Sequence, residues 1–388
     1  MSSPIRRRVG RRLRLWFLAG VEAWLWLVRI ALRARRTRRQ RVLLAAANPL
    51  MADYVLRMWH TIADLDGVEA RLTRHTGLAQ RQERVKAIAR WRARLYPWDL
   101  ILLADHMPLE YARTIPKVIM PHGPGPSRIV RGGSYYYDRQ RVFWPDGERV
   151  YTLMFDTSEV AKTRALAGVP EYRDKIVVVG DLRADELLKA SARAEETRSG
   201  MGIGDRKLVG IMSTWGPYGL VPTLGEALVG ELKRIASVGE YAFALTMHQN
   251  LWDVSRCGTT RWRDMLLGAE SEFIRVIRPH EDTAMVLGAC HMVVSDHTSL
   301  AMTFSILRRP IIPVAVPVGV VGEGTFSHWL LTNRRPLSRA DELYEALRTA
   351  HSNYALDGAP TVIDRLGESA GLVREALANA LNNGDRQR

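Results

Sequence analysis

Four polar clusters in this chain each follow an apolar run: "MPHGPG" at 120–125, "STWG" at 213–216, "MHQN" at 247–250 and "SDHTS" at 295–299. Each stands where a strand hands over to a turn or a helix, and in an open α/β sheet the carboxyl ends of the strands form the ligand crevice. The residue types suit anion binding and proton transfer. An imidazole with a pKa of about 6.5 takes a proton from a hydroxyl at neutral pH or neutralises a pyrophosphate, so His122 and His248 are the catalytic candidates, their roles undivided. Ser213, Thr214, Thr298 and Ser299 offer hydroxyls, and a helix opening at Thr298 turns backbone N–H groups toward a phosphate. Asp296 orients that turn or meets a ligand hydroxyl, and His297 sits between Asp296 and Thr298. Each residue has a plainer reading. His122 shapes the turn before Gly-Pro-Gly, His248 is a hydrogen-bonded strand-end histidine, and Thr298 and Ser299 do no more than cap a helix. Four clusters at strand ends, two of them placing histidine on the way out of an apolar strand, favour a site. No Asp-x-Asp motif occurs and the carboxylates are not spaced as a metal cage, so no metal is expected.

The elements that must hold these clusters alternate between strand and helix. "RVLLAAANP" (41–49), "VEARLT" (68–73), "WDLILLADHM" (98–107) and "PKVIMPHGPG" (116–125) read as strands, with helices over 51–65 and a polar helical stretch over 78–95. "RVYTLMFDTSEVAKTRALAG" (149–168) is a strand leading to a helix capped at Asp156 or Ser158, and "KIVVVGDLRADELLKA" (175–190) repeats that design. The pattern restarts with "KLVGIMSTWG" and runs through a helix over 222–237, "YAFALTMHQN", a helix near 259–268, "EFIRVIRPHED" and a helix to 289. This predicts an α/β chain of two doubly wound, Rossmann-like domains facing a cleft: a first domain at 42–195, a glycine-rich linker at 196–206, a second domain at 207–361, and a helix and tail at 362–388.

The 388 residues are 47% hydrophobic and 25% charged, a globular composition, with a net charge of +15. That charge is concentrated: residues 1–41 hold thirteen arginines and one acid, Glu22, so no basic groove runs through the body and no nucleic-acid partner is expected. Arginines bracket "LWFLAGVEAWLWLVRIAL" (15–32), which is marginal in length for a membrane span and interrupted by Glu22 and Arg29. On a helix the charges share a narrow stripe while Trp16, Phe17, Trp24 and Trp26 cover the rest, with Arg29 at the charged edge. This predicts an amphipathic helix lying on an anionic membrane surface. Cys257 and Cys290 form neither a metal pattern nor a disulfide framework, which suits a reducing compartment.

Taken together, His122-Gly123, "STW" at 213–215, His248 and "SDHTSLAMTFSILRRPII" at 295–312 resemble the CDP-glycerol glycerophosphotransferases of teichoic acid synthesis, over roughly residues 116–315. The family's His-Pro stands here as His248-Gln249, and the stretch after the last strand reads "VAVPVGVVGEGTFSHW". The resemblance implies a GT-B glycosyltransferase fold with an acceptor domain at 42–195 and a nucleotide-donor domain at 207–361, transfer served by His122 and His248, and donor phosphates at Thr298 and Ser299. It also implies a nucleotide-activated donor such as CDP-glycerol, no required cofactor, and a lipid-linked or cell-envelope glycan acceptor at the cytoplasmic face of the plasma membrane. The rival readings are a nucleotide-sugar epimerase or hydrolase of the same fold and a non-catalytic membrane-bound scaffold.

Overall fold

The computed structural model describes residues 39–386 except 74–84, 108, 110, 111, 125–128, 131, 132, 135–137, 280 and 318, and before these only Gly20, Trp24 and Leu27. Trp16, Phe17, Trp26 and Arg29 lie outside the described residues; Trp24 is helical and exposed. Among the described residues no helix is long and apolar enough to cross a membrane.

The chain is α/β with two parallel sheets. The first has the order β3-β2-β1-β4-β5-β8-β9, from β1 (Gln40–Ala45), β2 (Val68–Thr73), β3 (Lys86–Ile88), β4 (Leu100–Leu103), β5 (Lys117–Ile119), β8 (Leu153–Asp156) and β9 (Ile176–Val178). Between β5 and β8 a small antiparallel pair is formed by β6 (Ile129–Val130) and β7 (Gly133–Ser134). The second sheet has the order β12-β11-β10-β13-β14, from β10 (Lys207–Ser213), β11 (Tyr241–Met247), β12 (Ile274–Val276), β13 (Met292–Ser295) and β14 (Ile311–Pro313). By its contacts the chain divides into two units, one of Met1–His122, Arg141–Met154 and Val373–Arg388, the other of Gly123–Gln140 and Phe155–Leu372.

In the first unit the Asn-Pro that ends β1 starts helix α1 (Pro49–His60). Asn48 accepts from Met51 N at 3.0 Å, and Pro49 takes a first-turn position where its missing N–H costs nothing. The stretch 78–95 departs from the helical expectation. Residues 86–88 are the edge strand β3, held extended by pairing with Arg71–Thr73 of β2, and the described helical residues are the single turn α2 (Arg90–Ala93).

In the second unit helix α3 (Glu159–Gly168) is capped by Ser158, which accepts from Ala161 N, while Asp156 instead receives Thr157 N. Asp181 caps α4 (Leu182–Ser191), and α5 (Ala194–Gly200) follows within the glycine-rich stretch. Alternate residues of β10 enter different cores, as both faces of a covered parallel sheet require. Val209 and Ile211 pack with Leu224, Leu228 and Leu232 of α6 (Leu220–Val238). Leu208 and Met212 pack with Val286 and Leu287 of α7 (Thr283–Ala289) and with Met302 and Phe304 of α8 (Ser299–Phe304). Beyond Asp357 the expected helix from 362 begins only at Ser369, as α9 (Ser369–Arg386). Arg365 and Gly367 have positive φ, and residues 362–369 instead bond back onto the unit: Asp364 N to Thr157 O, Glu159 N to Asp364, and Gly367 N and Ser369 N to Asp185.

Candidate active site

Three of the four polar clusters meet at the carboxyl ends of adjacent strands in the second unit. Ser213 pairs with Met247 and Met212 with Ser295, so the residues following β11 and β13 flank the end of central β10. His248 N donates to Ser213 O at 2.9 Å on one side. On the other, Asp296 Oδ2 accepts Thr214 N at 2.8 Å and Leu220 N at 2.6 Å.

Asp296 and Ser213 thereby build the loop that closes the end of β10. Asp296 is 4% exposed, and its carboxylate ties the strand end to the first residue of α6. Ser213 Oγ accepts Val221 N at 3.1 Å and donates to Thr214 O at 2.9 Å. A carboxylate and a hydroxyl on the first N–H groups of a helix satisfy donors that the helix leaves open. Gly219 is required for this closure: a Cβ there would stand 2.5 Å from Thr214 O. Thr214 and His297 are buried beside these residues. Thr298 caps α8 by accepting Leu300 N at 3.4 Å, leaving Ser299 exposed at the opening of that helix.

His248 opens a short 3-10 turn over Gln249–Leu251, and its Nδ1 accepts Asn250 N at 3.1 Å. A nitrogen that accepts carries no proton, so the neutral ring is the Nε2–H tautomer and presents a donor on its far side. Trp215 lies beside this ring, with centroids 6.2 Å apart and planes tilted by 36°.

His122 belongs to the first unit. It is half-buried after β5, with Tyr54 edge-on at 6.4 Å between ring centroids, and Gly123 behind it has a φ of 132 that glycine accommodates.

Two features escape a reading by residue type. Leu103 of β4 pairs with Ile119 of β5, so His106 and His122 each stand three residues past that paired level. The His106 Nδ1 lies 2.8 Å from the Tyr151 hydroxyl. The signal was "ADH" at a strand end, the same kind of signal that marks His122. The second feature is the loop "TWGPYG", which presents Trp215 and Tyr218, 38% and 43% exposed, on either side of Gly216-Pro217. Glu323 is exposed in the turn before Thr325.

The architecture is of the GT-B type, two Rossmann-like parallel sheets with helices between strands. Solved structures with this fold include the wall teichoic acid polymerase TagF, which superposes with a TM-score of 0.65 at 12% identity over 89% of this chain and 90% of that one. A TagF crystal soaked with CDPG aligns over 98% of this chain and 99% of that one, also with a TM-score of 0.65 at 12% identity. The MnaA–UDP structure from S. aureus follows with a TM-score of 0.56 at 11% identity, over 89% and 97% of the two chains. A UDP-GlcNAc 2-epimerase from Neisseria meningitidis bound to UDP-GlcNAc has a TM-score of 0.51 at 14% identity, over 88% and 100%. No protein-family model and no curated protein sequence matches the chain.

Proposed function

We propose that the chain is a membrane-associated GT-B transferase that moves a glycerophosphate, or a related polyol-phosphate or sugar unit, from a nucleotide-activated donor such as CDP-glycerol to a hydroxyl of a lipid-linked or cell-envelope glycan. The observation that carries this reading is the assembly of His248, the Ser213–Thr214 turn and the Asp296–Ser299 turn at three adjacent strand ends. The nearly full-length superposition on TagF supports it.

The donor diphosphate is assigned to Thr298 and Ser299, where the opening of α8 supplies hydroxyls and N–H groups. The acceptor hydroxyl oxygen attacks the glycerol-bearing phosphorus, the bond to the CMP oxygen breaks, and CMP leaves with the electron pair. His248, protonated at Nε2, suits donation to that departing phosphate. The acceptor proton then falls to a base, for which His122 is the candidate. Asp296 and Ser213 act as positioning residues by holding the loop that carries Thr214 and Trp215. The N-terminal segment, with Trp16, Phe17, Trp24, Trp26 and Arg29, holds the enzyme at the cytoplasmic face of the membrane.

A thermal-shift screen of the full chain against CDP-glycerol, CDP-ribitol, UDP-sugars and GDP-sugars tests the donor assignment. Stabilisation by one nucleotide class, lost in Ser299→Ala, is the expected result; no shift with any donor favours the non-catalytic scaffold. The epimerase reading is kept because MnaA and the Neisseria enzyme share the fold. Stabilisation by UDP-GlcNAc, with turnover that needs no acceptor, would select it.

A further inference from the structure

The folded body carries a second basic, tryptophan-bearing segment, distinct in sequence from the arginine-rich N-terminal residues. It lies on the edge strand β3 and the turn α2 of the first unit. Residues 85–98 contain Lys86, Arg90, Arg92 and Arg94 and no carboxylate. All four cations are exposed, and Trp91 among them is 61% exposed, more than any other large apolar side chain among the described residues. The Arg92 guanidinium lies 5.1 Å from the centre of the Trp91 ring. The opposite side of this turn is anchored: Ala93 is fully buried and its carbonyl accepts the Trp98 indole N–H at 2.7 Å. At the far end of the segment the Arg41 guanidinium sits 4.9 Å from the Tyr96 ring centre. The segment is thus tied to the start of β1, the strand into which the arginine-rich residues lead.

An indole held outward on a packed turn, with one guanidinium against its ring and further exposed cations along the same short segment, matches the boundary of an anionic bilayer. The ring enters the headgroup layer while the cations meet phosphate. A single tryptophan on one turn offers no run of rings on which successive bases of a nucleic acid could stack. We propose that the face formed by Lys86, Arg90, Trp91, Arg92 and Arg94 docks on an anionic lipid surface and so gives the first unit its own membrane contact. The choice of partner rests on the reading above in one respect, that the acceptor is lipid-linked.

The test is hydrogen exchange on the full chain with vesicles of phosphatidylcholine alone or mixed with phosphatidylglycerol. Peptides covering 86–95 should gain protection with the mixed vesicles only. Arg92→Gln should weaken cosedimentation with them about fivefold, the effect of losing roughly 1 kcal/mol for one cation near the surface, and Trp91→Ala should weaken it further. Protection confined to residues 1–39, unchanged partition of both variants, or stronger protection of 86–95 by single-stranded RNA than by vesicles would overturn the proposal. The CDP-glycerol thermal shift, measured on the same variants, reports the donor reading separately. Its loss in the wild type with vesicle protection intact sinks that reading alone, and the reverse result sinks only the docking surface.

Discussion

His248 is defined by the hydrogen bond it accepts. Because Asn250 N points at Nδ1, the neutral ring carries its donor at Nε2, which in the proposed transfer would meet the developing phosphate charge. His248→Asn should lower kcat on the order of 10²–10³-fold, the usual worth of one preorganised hydrogen-bond donor at a developing charge, with the melting temperature nearly unchanged. Asn250→Pro removes the N–H and should redistribute the tautomers, seen as a shift of the ring nitrogens in ¹⁵N NMR. His291 plays a structural part, accepting Leu208 N at 3.0 Å through Nδ1. Burial, with the nearby Arg198 and Arg309 charges, lowers its pKa below 6.5. As pH falls below about 6.5 the unfolded chain takes up a proton that the folded chain resists, so this contribution is complete above that pH and lost beneath it. His291→Gln should therefore flatten the fall in melting temperature between neutral and mildly acidic buffer. Burial also raises the Cys290 thiol to about 12, which leaves the half-buried Cys257 as the thiol that alkylating reagents should reach in the native protein.

Among the elements, the loop from Thr214 to Gly219 carries the most consequence. A methyl group at Gly219 would press on Thr214 O and lie 3.3 Å from Ser213 Oγ, so Gly219→Ala should displace Trp215 and weaken donor binding more than it lowers stability. Isothermal titration with the donor, set beside the melting curve, checks this. Much of this arrangement is legible in the sequence. Apolar runs ending in polar clusters are enough to place β10, β11, β13 and the helix after Ser295-Asp296, because each strand is buried on both faces and reads as continuous apolar residues. The edge strand β3 is not legible, since Lys-Ala-Ile shows no alternation and is extended only through its partner β2. His106 is missed for a related reason: its level beside His122 follows from the β4–β5 register, which residue type does not report. Nor do residue types separate a hydroxyl that closes a loop, as at Ser213, from one that meets a ligand.

At the scale of the whole molecule, each unit is completed by the last part of the chain. Residues 362–369 bond to Thr157, Glu159 and Asp185 in the second unit. In α9, Arg374 reaches Thr61 O and pairs with Asp64 in the first. A chain ending before Asp364 should be cut rapidly by trypsin under conditions where the full chain is resistant. The same closure has a cost during synthesis. At about 5–20 residues per second the ribosome needs roughly 10–40 s after Thr157 and Asp185 emerge to deliver the residues that cover them. Over that interval the nascent chain shows open strand ends and uncovered apolar surface, which makes it a natural client for chaperones that act on proteins still being made.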